Sequence, residues 1–271
     1  MKHQCLLTCV LLVAYLSVTS IAFLPRVNLQ EGTGMSNTLD HALITKKGFL
    51  QPLEYFFYEN PQYLKNGSLK DLLYTGDPLR EIINKISPQV KFLNALNEIQ
   101  SANVEVDSLP LSGSASAHFD GEQFKQGFMR LIQLRQELIT SLLQGDKLKN
   151  ARNLAGAALH TLQDFYSHSN WIELGKRQIY EVLAKPGAEI PREFIANPTE
   201  ATCKGCKPGA CENNLITRKL TSGYRSGQDI KKPELMGKCS HGGRMDESRL
   251  KPATGGINKD STSTADSPHA R

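Results

Sequence analysis

The sequence predicts an all-α fold, on three observations. Apolar residues recur at three- and four-residue spacing in successive segments up to about residue 200, the period of a buried helical face. The strongest of these patterns runs through Ala151–Gly175, where Leu154, Ala158, Leu159, Leu162 and Phe165 share one face. Strand–helix alternation, a glycine-rich phosphate loop and a nucleophile elbow are all missing, which removes the α/β classes. A content of 39% hydrophobic and 7% aromatic residues is ordinary for a globular chain.

The elements follow in order. Lys2 and His3 precede an apolar run from Leu6 to Val18, and Ser20-Ile21-Ala22 places small residues at −3 and −1 of a cleavage point. This reads as a secretory signal peptide over residues 1–22 and predicts a secreted, extracellular chain. The run is too short for a membrane span, and no later segment reaches about 18 apolar residues. Residues 23–200 then read as one helical domain. Leu43, Phe49, Leu50, Leu53 and Phe57 predict a first amphipathic helix ending at Asn60-Pro61. Ser68–Tyr74 reads as a short helix. Pro78–Ile99 reads as a longer one that Pro88 must kink or split. Val104–Ala117 reads as a Ser-rich loop, Gly121–Leu143 as a long helix, and Lys176–Leu183 as a helix after the central one.

Residues 201–271 differ in composition. Gly, Ser, Lys and Pro dominate from Thr221 onward, so irregular structure and then disorder are expected. Cys203, Cys206, Cys211 and Cys239 are an even set, and in a secreted chain they predict two disulfides with three connectivities open. Asn66-Gly67-Ser68 is a glycosylation acceptor. The net charge of +5 is too mild to argue for nucleic acid. It is uneven, however: Cys203–Arg271 holds 13 Lys and Arg against 7 Asp and Glu, with Tyr224 as its only aromatic. A solvated segment is expected, with weak attraction to anionic surfaces as the sharper reading.

The chemistry lies on the central helix. Its Ala155-Gly156-Ala157-Ala158 stretch lets a neighbouring helix approach closely, which is the reason for a glycine that otherwise costs about 1 kcal/mol. His160, Asp164 and His168 follow at four-residue steps, so they spiral down one face. His160 and His168 are then about 12 Å apart at the backbone, too far to share one small ion. Asp164 lies midway, so the economical arrangement is two metal ions sharing Asp164. Imidazole and carboxylate are a ligand set for zinc. His41, Asp107 and His118 lie on separate segments and supply the remaining donors that a second ion needs.

These segments support two resemblances. His41-Ala42-Leu43-Ile44-Thr45, Asp107, His118-Phe119 and His160-x-x-x-Asp164 resemble, in the same order, the metal-ligand segments of the zinc-dependent phospholipase C family. That resemblance implies an all-α domain whose zinc ions hydrolyse phosphodiesters through bound water. In that family a His-x-x-x-Glu pair completes the cluster, and Glu173 and His269 are the nearby substitutes here. Those enzymes also ligate metal through an N-terminal Trp ten residues before the first His, whereas Phe23 precedes His41 by eighteen.

A closer similarity, covering nearly the whole mature chain, is to the N-terminal region of the von Willebrand factor A domain-containing protein 7 family and more distantly to the fungal Het-C family. It rests on Ala157–Trp171, Thr221-Ser222-Gly223-Tyr224, Gly237–Gly243 and Gly255–Ser261. The family continues past Ser267-Pro268-His269 into another helix and a von Willebrand A domain, so the resemblance implies a chain truncated before both. The implied function is a secreted interaction module with a structural zinc site at His41, Asp107, His118, His160, Asp164 and His168, its partner an extracellular protein or anionic surface. The alternatives are a zinc-dependent phosphodiesterase in which Asp164, His160 and His118 hold the metals, or an inert fragment lacking its closing helix.

Overall fold

The computed structural model describes residues 40–65, 78–207, 210–211, 213–243, 246–257 and 259. The expectations for residues 1–22, Asn66, Ser68–Tyr74 and His269 fall outside these. Among the described residues the fold is all-α, with isolated β-bridges and no strand. Six α-helices occur: α1 (His41–Gly48), α2 (Leu50–Glu59), α3 (Pro78–Lys85), α4 (Gln89–Glu105), α5 (Phe124–Gln144) and α6 (Leu148–His168).

The predicted first helix is two helices. Pro52 cannot donate to Gly48, and its ring crowds that carbonyl, so the chain breaks at Phe49 between α1 and α2. Asp40 caps α1 by accepting a hydrogen bond from the Leu43 amide at 2.6 Å, which makes His41 the first helical residue. The split at Pro88 is as expected, but α4 runs on to Glu105 rather than ending at Ile99. It does so because Ala102 and Asn103 are buried against α6. The predicted loop therefore begins later, and Leu111–Gly113 and Ala115–Ala117 form short 3-10 turns.

The helix α6 packs against α4 on one side and α5 on the other. Gly156 is the point of closest approach: a Cβ there would stand 2.3 Å from the Ile99 carbonyl oxygen and 2.8 Å from the Asn103 amide nitrogen. Close packing is thus the reason for this glycine. The main core lies between α5, α6 and the chain after them, around Phe119, Phe124, Leu131, Phe165, Trp171 and Leu220. A second core joins α2, α3 and α4 through Leu53, Phe57, Ile82, Ile83, Ile86 and Leu96.

The helix expected over Lys176–Leu183 does not form; the segment is a series of turns. Side chains take its backbone groups instead. The Trp171 indole Nε1 donates to the Gln178 carbonyl at 3.1 Å, and the Tyr180 amide donates to the Tyr166 hydroxyl at 3.0 Å. The tilted contact of Trp171 with Tyr180, 4.6 Å between centroids, is worth more here than an isolated two-turn helix in water.

Beyond Pro191 the chain is irregular, as expected, but its cations are not all solvated. Lys238 is fully buried, 2.8 Å from Glu122, and also donates to the Asn197 carbonyl at 2.7 Å. Lys259 pairs with Glu173 at 3.2 Å. Lys232 donates to Ser240 Oγ and to the carbonyls of Ser248, Lys251 and Ala253, and burial lowers its pKa to about 8. Disulfides join Cys203 to Cys239 and Cys206 to Cys211. Non-reducing peptide mapping is expected to recover these two pairs; a peptide linking Cys203 to Cys206 or Cys211 would contradict the fold of this segment.

Candidate metal centre

The six sequence-predicted residues converge. His41 comes from the first turn of α1, Asp107 from the turn after α4, His118 from the turn before α5, and His160, Asp164 and His168 from α6. Asp164 is the hub. Its Oδ2 lies 2.8 Å from His118 Nδ1 and 3.0 Å from His160 Nε2; its Oδ1 lies 3.3 Å from His41 Nε2 and 3.9 Å from His168 Nε2. Asp107 Oδ1 stands 3.7 Å from His160 Nε2.

Two residues not proposed as ligands from the sequence join them. Asp120 Oδ1 lies 3.2 Å from His168 Nδ1, and His241 Nε2 lies 3.3 Å from His168 Nε2. Asp120 stands two residues after His118, and Phe119 between them is left-handed, at φ 54°, where the chain turns. That conformation is costly for an aromatic residue and is held by full burial of its ring against Phe124 and Phe165. Glu173 is not at the centre; it pairs with Lys259.

Among the described residues, donor atoms fall into three groups, each within 4.8 Å: His41, Asp107 and His160; His118, His160 and Asp164; Asp120, His168 and His241. His160 and His168 are thus in separate groups, as their spacing requires. The triangle of His118 Nδ1, His160 Nε2 and Asp164 Oδ2 has sides of 2.8, 3.0 and 3.1 Å. A tetrahedral zinc with bonds of about 2.0–2.1 Å needs ligand separations of about 3.3 Å, so an ion fits after an opening of a few tenths of an ångström.

The outward side of each ring is also fixed. His41 Nδ1 donates to Gln163 Oε1 at 2.7 Å, His118 Nε2 to the Leu111 carbonyl at 3.2 Å, and His160 Nδ1 faces Asn103 Oδ1 at 3.4 Å. His168 Nδ1 donates to the His118 carbonyl at 3.0 Å and His241 Nδ1 to the Gly242 carbonyl at 2.9 Å. Behind His41 and His160, the buried Thr45, Asn103 and Gln163 bond one another and hold these acceptors in place. Every ring therefore turns its other nitrogen toward Asp164 or Asp120, the arrangement in which second-shell acceptors fix the tautomer of a metal-binding imidazole.

Electrostatics agree with a cation between them. Burial opposes the charge on Asp164, but His160, His168, His41 and the close His118 ring hold its carboxyl well below the usual range. Asp120 is likewise held low against its burial by His168 and His241. His41 is raised to about 9, since Asp164 and Asp107 outweigh its burial. His160 is lowered, chiefly by burial. Asp164 Oδ1, Asp120 Oδ1 and Asp107 Oδ2 are buried oxygens without a hydrogen bond. Such atoms cost free energy unless a cation or proton serves them.

The VWA7 N-terminal domain family profile matches residues 75–271. The chain belongs to this family. It is 38% identical over 270 residues to von Willebrand factor A domain-containing protein 7 of Rattus norvegicus, which covers 97% of this chain and 29% of that protein. It is 44% identical over 182 and 181 residues to the proteins of the same name from Mus musculus and Homo sapiens, covering 66% of this chain and 20% of each. The chain thus spans less than a third of these relatives' length. No solved structure matches it.

Proposed function

We propose that this chain is an extracellular helical interaction module whose packing is held by a buried zinc centre at His41, Asp107, His118, His160 and Asp164, with His168 at its far edge. The observation that carries this reading is the common orientation of the histidines: each outward nitrogen meets a fixed oxygen and each inward one faces a carboxylate. Neutral imidazole with carboxylate is a donor set for zinc rather than for calcium or magnesium. A structural role follows from burial, since His118 and His160 are fully buried and Asp164 is 1% exposed, which leaves a substrate no path to them. Secretion is supported by the signal-like start and by two disulfides. Because Lys232, Lys238 and Lys259 are buried, the excess charge of the Cys-rich segment is not all displayed. This favours a protein partner over an anionic surface, and the Asn66 acceptor is expected to carry a glycan.

Metal uptake has a testable pH dependence. His41 titrates at about 9 in the metal-free chain, above its ordinary 6.5. Its charge therefore contributes stability that is fully present below about 6.5 and is lost as pH rises through about 9. Zinc must displace that proton, so its affinity rises with pH over the same window. Titration with zinc at pH 7.5 in two buffers of different ionisation enthalpy is expected to show proton release. Uptake with no proton release contradicts ligation by His41.

One observation favours a hydrolase instead. Asp107 is 20% exposed, so the His41, Asp107 and His160 group is the one that reaches nearest to solvent, and a catalytic zinc requires an open position. Zinc bound there would lower the pKa of a water to about 7. Zinc-dependent turnover of a nitrophenyl phosphodiester, lost in Asp107→Asn, would establish that reading; the buried site predicts none.

A further inference from the structure

We propose that the cleft between Trp171 and Phe194 is a binding site for a neutral pyranose unit, carried on the glycan of a partner glycoprotein. The inference rests on the interaction-module reading only for its extracellular setting, and it takes nothing from the metal centre.

The cleft exists because the segment after α6 runs in turns rather than as a helix. Its walls are pinned by bonds to the rest of the fold. The Trp171 indole donates to the Gln178 carbonyl, and the Tyr180 amide to the Tyr166 hydroxyl, which set one wall. The Leu220 amide donates to the Phe194 carbonyl at 2.8 Å, and the Ala196 amide to the Leu220 carbonyl at 2.9 Å, which set the other. The space between them is about 510 Å³, inside the range of about 300–1,000 Å³ typical of small-ligand sites. Trp171, Tyr180 and Phe194 give it an aromatic lining. Tyr180 and Phe194 are each half-buried, so part of each ring is accessible, and their centroids stand 6.4 Å apart.

The polar lining selects among ligands. Lys176, Gln178 and Glu193 bring a cation, an amide and a carboxylate to the same cleft. Lys176 Nζ stands 6.0 Å from the Phe194 ring centre, so a ligand on that ring meets an ammonium. Neither Lys176 nor Glu193 forms an ion pair with another described residue. A quaternary ammonium meets a like charge at Lys176, and a phosphate or an acidic sugar meets one at Glu193. An apolar peptide would strip water from all three polar groups and return no hydrogen bond. A sugar hydroxyl both donates and accepts, so it satisfies cation, amide and carboxylate alike. The C–H groups on one face of a pyranose carry partial positive charge and pack on the negative face of an aromatic ring. A neutral pyranose is thus the class that uses both linings.

The test titrates the full chain with the methyl glycosides of mannose, galactose and N-acetylglucosamine, following the emission of Trp171, the only tryptophan in the chain. Sorbitol, which has the hydroxyls without the ring, is the control; choline, phosphocholine and sialic acid present the competing charges. A saturable change with at least one glycoside, and none with sorbitol, is expected. Gln178→Ala and Glu193→Ala alter exposed side chains, so the helical circular dichroism should be kept while affinity for that glycoside falls at least about tenfold. Equal affinity in both variants overturns the proposal, as does saturation by choline, phosphocholine or sialic acid and by no glycoside. If the emission is silent, saturation-transfer NMR of the same mixtures decides, and transfer to none of the glycosides overturns the site. Saturable binding by a chain that elemental analysis finds free of zinc keeps the cleft and removes only the metal centre; a zinc-loaded chain that binds no glycoside does the reverse.

Discussion

Replacing Asp164 by Asn is expected to remove zinc and fold together. Asp164 is the single group that all four histidines of the helical domain approach, at 2.8 to 3.9 Å. An amide keeps the shape but deletes the charge that offsets the cation, and its N–H₂ cannot serve as a metal ligand. Removing one partner of a buried charge cluster costs about 3–5 kcal/mol before the binding energy of the ion is counted. At about 2–4 °C per kcal/mol for a domain of this size, the melting temperature should fall by about 10 °C or more. A catalytic ion in a helical frame that stands by itself predicts the opposite pattern, activity lost and melting temperature kept. Differential scanning calorimetry of the two chains, with their zinc contents, separates these outcomes. An Asp164→Asn chain that melts with the unmutated one contradicts a structural centre.

Gly156→Ala is the second large effect, and two terms compete in it. Alanine favours a helix interior by about 1 kcal/mol over glycine. Against this, its Cβ would meet the Ile99 carbonyl at 2.3 Å and the Asn103 amide at 2.8 Å, both backbone atoms of α4 that cannot rotate away. Forced separation of two packed helices costs about 1–3 kcal/mol and sometimes more, so packing outweighs propensity. The displacement also reaches the centre, since Asn103 faces His160 and donates to Gln163, which accepts from His41. A net loss of about 1 kcal/mol, and up to about 2, in urea titration, with weaker zinc retention, is the expected result. A more stable Gly156→Ala chain would show that α4 and α6 are not in this contact.

Much of this was legible in the sequence, for a physical reason. Helical periodicity is local, so α5, α6 and the break at Pro88 follow from residues a few positions apart. The spacing of His160, Asp164 and His168 likewise places them on one face without knowledge of the rest. Pro52 shows the limit even of local reading: the apolar pattern continues through it, while its missing N–H divides α1 from α2. Asp120 and His241 were not legible as members of the buried cluster. The first depends on a left-handed Phe119, and the second on the close passage at Gly223, more than seventy residues of chain beyond its neighbour His168. A signal was present in each, the adjacency in His118-Phe119-Asp120 and a histidine just after Cys239. It becomes readable only once the disulfide and the turn have brought them together. The turns of 176–183 failed as a helix because Trp171 and Tyr166 claim backbone groups that periodicity cannot anticipate.

The central claim is that the buried histidines and aspartates of this domain hold metal as part of the fold. Elemental analysis of the chain secreted from eukaryotic cells, purified without chelator or added metal, tests it most directly. Near-stoichiometric zinc that survives gel filtration, and whose removal by chelator lowers the melting temperature, is the expected result. A folded, metal-free protein whose melting temperature is the same before and after chelation would contradict it.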